Sequence, residues 1–413
     1  MAKNILKDFP TQSELLEWYH INGSNIVHEV NNHFHTPYSF SAFKDLRQAF
    51  DMAQKEEVKV LGINDFYTTA GYEEFNDLAL EYRLFPFFNI EFIGLLRNEQ
   101  KEGIRINDPN NPGRTYFTGK GLDFPFVLEG NSMKKLETVK KESAGQAENM
   151  LTLASQHLVS IDPDLELKLE DVMKDFTRGM LRERHIAQVI RAKVYEKYGS
   201  SGERKEILKK IYGGDEPKAD PDNPAAVENE LRSKLLKSGG VAFVVEDPRA
   251  FLDLDDVIRI ITDAGGIPTY PVLLDDPEGN YTEFERDREK LFQSLTDLNV
   301  WAVELIPGRN DHDRVMEFVT WFHDRDFIIT FGTEHNTPDL IPLKVNTRGG
   351  KDLDEELKRI CFEGACVQAA HQYFRSKEEE GYIDRNGKPR TAAKDEFIET
   401  GNAVLEYFLQ NQE

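Results

Sequence analysis

Two histidines two residues apart, His33 and His35, close the apolar run that begins at Ile26, in the stretch Val30-Asn31-Asn32-His33-Phe34-His35-Thr36. On a strand, side chains two apart share a face, so both imidazoles would converge on one point, an arrangement suited to Zn²⁺, Mn²⁺ or Fe²⁺. His-x-His alone is a short motif that recurs by chance, and two partly exposed strand-end histidines explain it equally well. Further ligand-type residues at later strand ends decide between these readings. They are present: Asp65, Glu91, Tyr116, Tyr270, Glu304 and Glu334-His335-Asn336. Two histidines with two carboxylates make an N₂O₂ set for a borderline divalent ion. Each acidic residue also has a plainer reading: Asp65 as a helix cap, Glu91 as an arginine's partner, Glu334 as the start of a turn. Arg114, Lys120, Arg182, Arg184, His185 and Arg309 are candidates for binding an anion.

The elements that must position these residues alternate. Thr11-Gln12-Ser13-Glu14 is a capping box ahead of a short helix. Strands are predicted over Ile26–His35, Val58–Asp65, Leu84–Leu96 and Arg114–Leu122, with helices over Ser41–Gln54 and Tyr72–Tyr82. From about Asp123 the alternation stops and helical patterns take over, running through Leu165–Tyr198 and broken by Gly- and Pro-rich loops. After Gly240 it resumes with helix Asp255–Ala264, strand Ile267–Leu274, helix Glu283–Leu298, strand Trp301–Ile306, helix Asp313–Asp324 and strand Phe327–Glu334. Roughly seven β–α repeats predict a distorted seven-stranded (β/α) barrel from residues 1–122 and 240–345, with a mainly helical insertion at 123–239 placed to act as a lid. Two apolar helical stripes in 346–413 predict C-terminal helices packed on the barrel exterior or on a second subunit of a homo-oligomer.

Composition narrows the partners. The chain has 413 residues, 39% hydrophobic and 30% charged, with 27 Phe and 14 Tyr, the profile of a globular protein with a sizeable core. Its formal charge of −23 repels phosphate backbones and anionic lipid, which argues against nucleic acid and membrane surfaces and for a small-molecule substrate. Cys361 and Cys366, about 140° apart on a helix, read as packing residues. With no apolar leader after Met1 and no long apolar run, the expected compartment is the cytoplasm.

The motifs, taken in order, resemble the PHP (polymerase and histidinol phosphatase) family, in particular its stand-alone metal-dependent phosphoesterases. Asn31-Asn32-His33-Phe34-His35-Thr36 is similar to that family's Asp-Leu-His-x-His-Thr, and Leu61-Gly62-Ile63-Asn64-Asp65-Phe66 to Leu-Gly-Ile-Thr-Asp-His. Glu91 falls at its bridging glutamate, and Arg184-His185-Ile186-Ala187 resembles Arg-Pro-His-Ile-Ala within the inserted block. Gly265-Gly266-Ile267-Pro268-Thr269-Tyr270-Pro271 is similar to Gly-Gly-x-x-x-Ala-His-Pro, and Gly332-Thr333-Glu334-His335-Asn336-Thr337-Pro338 to Gly-Ser-Asp-Ala-His-Thr-Pro. Phe66, Tyr116, Tyr270 and Asn336 stand where the family places histidine ligands, and Glu334 replaces an aspartate.

The resemblance implies one divalent ion (Zn, Mn or Fe) held by His33, His35, Glu91 and Glu334. His335 would point to the opposite face. It implies a phosphoesterase acting on a small anionic substrate through a metal-bound water. Asp65 would orient or deprotonate that water, and His185 would close over the substrate and protonate the leaving oxygen. Arg184, Arg309, Tyr116, Tyr270 and Asn336 would bind substrate. Two other readings stand beside it: a lyase, aldolase or non-phosphate hydrolase, which needs one Lewis-acid metal and no phosphate cradle, and a catalytically inactive binding protein.

Overall fold

The computed structural model describes residues 4–24, 26–384 and 386–411. After α1 (Gln12–Asn22), whose Thr11–Glu14 capping box is formed, the strands are β1 (Glu29–Phe34), β2 (Val58–Phe66), β3 (Phe85–Leu95), β4 (Arg114–Lys120), β5 (Leu252–Asp253), β6 (Ile267–Val272), β7 (Ala302–Leu305) and β8 (Ile328–Phe331). Seven form a barrel-shaped sheet in the order β1-β2-β3-β4-β6-β7-β8, with the short β5 beside β3. The seam between β8 and β1 is closed by a parallel bridge of Phe34 to Glu334 and by the amides of Thr333 and Glu334, which donate to His33 O at 3.0 and 2.9 Å. Gly332 permits this approach, because a Cβ there would meet His33 Cβ at 2.3 Å.

Between the strands run α2 (Leu46–Lys55), α3 (Tyr72–Tyr82), α4 (Arg97–Glu102), α10 (Leu254–Asp263), α11 (Arg288–Asp297) and α12 (His312–His323); the block before α10 holds α5 (Gly130–Ile161), α6 (Leu169–Phe176), α7 (Glu183–Lys197), α8 (Ser201–Ile211) and α9 (Pro224–Leu231). This block has its own apolar cluster, with Leu151, Ile186, Val194, Leu208 and Leu231 at its centre. It meets the rim at the C-terminal ends of the parallel strands, where His185 lies edge-on to Phe40 and Asn229 donates to Asp339 at 3.3 Å.

Three sequence expectations are corrected. A run of β–α repeats predicts parallel strands throughout, whereas β4 is antiparallel to both β3 and β6. Gly103, left-handed at φ 73°, stops α4 after a turn and a half, so the chain turns back instead of crossing over. The first strand begins at Glu29 rather than Ile26, and Ile26 and Val27 are exposed. The helix expected from Glu283 begins at Arg288, because Glu283 pairs with Arg105 and Glu285 turns inward to Tyr270.

The tail helices α13 (Glu355–Ser376) and α14 (Lys394–Gln410) pack on each other and on α1, and α13 lies across the barrel floor. Gln368 and Gln372 reach Asn32, Asn89 and the backbone of Pro86 and Phe88, while His371 Nε2–H donates to Gly265 O at 2.6 Å. Both cysteines are buried in α13. No helix of the described residues is long and apolar enough to cross a membrane.

Candidate metal centre and anion site

A bulge in β1 sets the geometry. Between Asn31 and Phe34 the strand spends one residue more than its partner β2, which leaves both Asn32 and His33 directed into the barrel. His33, His35 and Glu91 then come together in its buried mouth. The two Nε2 atoms lie 3.2 Å apart, and His35 Nε2 is 3.0 Å from Glu91 Oε2.

Neighbouring groups place the protons. Ser39 spends its hydroxyl hydrogen on Asp65 Oδ1 (2.5 Å), so its oxygen must accept from His35 Nδ1–H at 3.2 Å, leaving the lone pair on Nε2. His33 Nδ1 is in short contact with Glu304, which accepts its hydrogen and again leaves Nε2 as the acceptor. The amide nitrogen of Asn64 lies 2.9 Å from that Nε2. Burial pushes His35 down to about 3, helped by the Arg182 charge, and pushes His33 down against the pull of Glu304. Burial raises Glu91 to about 7, and its Oε2 has no hydrogen-bond donor among the described residues. The His35 Nε2 lone pair faces the Glu91 oxygen that has no donor, and His33 Nε2, within reach of the Asn64 amide, lies beside them, so three ligand-type atoms converge on one point. The donor set fits a divalent ion of borderline hardness.

Glu334 does not join the three. Its carboxylate is paired with Arg309 and accepts from Asn336 Nδ2 at 2.6 Å, in a turn where Glu334 and His335 both have positive φ. Asn336 and Arg309 thus both engage the Glu334 carboxylate rather than forming an open cradle. His335 turns away, donating to Ile341 O and stacking on Phe43. Asp65 is not a free base: its oxygens accept from Thr36 N (2.8 Å), Thr36 Oγ1 (2.5 Å) and Ser39 Oγ, and burial outweighs those bonds to raise it to about 6. Tyr270 donates to Glu285 at 2.7 Å and belongs to the β6 rim. His185 caps its own helix, Nδ1 accepting from the Arg182 amide at 3.0 Å, and burial pushes it down to about 3. An imidazolium there is disfavoured near neutral pH.

Arg182, which precedes α7, lies over the Phe66 ring at 4.4 Å and forms no ion pair with a carboxylate among the described residues. Tyr116 flanks Phe66 with ring centroids 6.0 Å apart. Arg184 is also without a carboxylate partner among the described residues and contacts Asn229 Oδ1 at 3.3 Å. The mouth therefore carries uncommitted guanidinium charge beside the His–His–Glu cluster.

Lys120, Glu304 and Ser39 are buried residues of the site to which the sequence assigned no metal role. Glu304 was visible as a strand-end carboxylate, but nothing in the sequence paired it with His33.

No protein-family model and no curated protein matches the chain. Among solved structures, it is similar to an amidohydrolase from Chromobacterium violaceum with bound sulfate and no metal, at a TM-score of 0.51 and 14% identity, over 80% of this chain and 96% of that one. A candidate metal-dependent phosphoesterase from Bifidobacterium adolescentis aligns at a TM-score of 0.48 and 15% identity, over 80% and 94%. At such identity the first likeness carries the fold alone.

Proposed function

We propose that the protein is a metal-dependent hydrolase of PHP type acting on a small phosphoester. The observation that carries this reading is the Glu91 oxygen that has no donor among the described residues, facing the His35 lone pair with His33 Nε2 beside it, near an arginine that has no carboxylate partner among the described residues. His33, His35 and Glu91 would hold the ion, which when bound supplies Lewis acidity and charge stabilisation. Arg182 and Arg184 would bind the non-bridging oxygens of the substrate, where a planar guanidinium donates two parallel hydrogen bonds. Phe66 and Tyr116 wall the site, and the Phe66 face holds Arg182 in place. Asp65 positions the Thr36–Ser39 loop and, through Ser39, the His35 ring.

The test is a panel of phosphomonoesters, phosphodiesters and amides assayed with added Mn²⁺ or Zn²⁺. Turnover of a phosphoester, competed by inorganic phosphate and abolished in Glu91→Gln, is expected. Turnover confined to amides, or none in metal-loaded protein, would overturn it.

A further inference from the structure

Beneath the His–His–Glu cluster lies a second charged group, fully buried. Glu304, from β7, touches His33 Nδ1 on one side and Lys120 Nζ on the other, and its Oε2 accepts from Thr118 Oγ1 at 3.2 Å. Lys120 arrives from the floor because β4 runs antiparallel, and its ammonium also donates to Asn32 O at 3.0 Å and Asn64 Oδ1 at 3.4 Å. Lys120 and Glu304 are each about 1% exposed. A buried ion pair is poor at stabilising a fold, since apolar side chains of the same volume serve as well or better. Its placement against one ring nitrogen of a candidate ligand gives it a different use. His33 sits on a bulge, so the strand ladder does not fix its ring, and an imidazole ligand needs its other nitrogen bound to present its lone pair.

We propose that Glu304 and Lys120 are the positioning pair of the metal centre. The carboxylate fixes His33 with Nδ1–H engaged and Nε2 turned toward His35 and Glu91, and the Lys120 ammonium and Thr118 hydroxyl hold the carboxylate in place. Asn64 ties the two together, its amide oxygen on Lys120 and its nitrogen beside His33 Nε2. The inference rests on the metal reading of His33, His35 and Glu91 and adds the groups that make His33 a ligand.

The test measures Zn²⁺ affinity by competition with a chromophoric chelator, and the visible spectrum of the Co²⁺-loaded protein, in wild type, Glu304→Gln, Glu304→Asp and Lys120→Met. Affinity about 10–100-fold weaker in Glu304→Gln and Lys120→Met, with an altered Co²⁺ spectrum and part recovery in Glu304→Asp, is expected. If the variants that fold bind Zn²⁺ as tightly as wild type with an unchanged spectrum, the pair is only structural and the inference fails while the metal reading stands. If wild type itself binds neither ion, both fail.

Discussion

Ser39 decides which nitrogen of His35 carries the proton, although it touches no candidate substrate position. Its hydroxyl hydrogen is committed to Asp65, so only its oxygen is left for the imidazole. Ser39→Ala should therefore weaken divalent-metal binding about 10-fold or more without removing a ligand, as titration against a chelator would show. Arg182 makes a separate prediction: Arg182→Gln should leave metal content unchanged while KM for a phosphoester, and the inhibition constant of inorganic phosphate, rise about 10²-fold. Equal losses in metal content would place Arg182 in the fold rather than at the substrate. At this scale the convergence of His33, His35 and Glu91 was legible, because their types and strand-end positions mark them in the sequence. The surroundings of Glu334, Asp65 and His185 were not legible, because the groups that engage them come from other parts of the fold or from local turns that the sequence does not mark. Arg309 engages the first, Thr36 and Ser39 saturate the second, and burial neutralises the third.

Helix α13 carries the barrel floor, and its fit to β8 depends on the absence of one side chain. A Cβ at Gly364 would meet Ile329 O at 1.9 Å, so Gly364→Ala should cost about 1–3 kcal/mol in urea unfolding. His371, on the same helix, accepts from Tyr382 N and donates to Gly265 O, and burial pushes it down to about 4. Between about pH 6.5 and 4 the unfolded chain holds a proton that the folded chain refuses. The stability contributed by the neutral ring is thus complete above about pH 6.5 and lost as the pH falls. The stability advantage of wild type over His371→Gln should shrink by on the order of 2 kcal/mol between about pH 7.5 and pH 5. An advantage independent of pH would contradict the neutral ring. Strand–helix alternation and the helical break near Asp123 were legible from hydrophobic periodicity. The reversal of β4 and the floor position of α13 were not, since an apolar stripe shows which face is buried and not what buries it.

Across the whole molecule, a polar barrel interior runs from Gln368 on the floor through Asn32, Asn89, Lys120 and Glu304 to the histidines at the mouth. Such an interior carries a desolvation cost for a chain that could have filled the same space with apolar groups, and a cation bound by His33, His35 and Glu91 would complete its charge pattern. Metal should consequently stabilise the fold by mass action, adding about 2.7 kcal/mol at a free concentration a hundred times Kd, and a chelator should reverse the gain in thermal unfolding. The most direct measurement is the metal content per chain, by elemental analysis, of wild type and His33→Ala after equilibration with Mn²⁺ or Zn²⁺ and gel filtration. One divalent ion per wild-type chain and none in His33→Ala is the predicted result; a wild-type chain that retains no ion, or a variant that retains as much, would contradict a metal held by His33, His35 and Glu91.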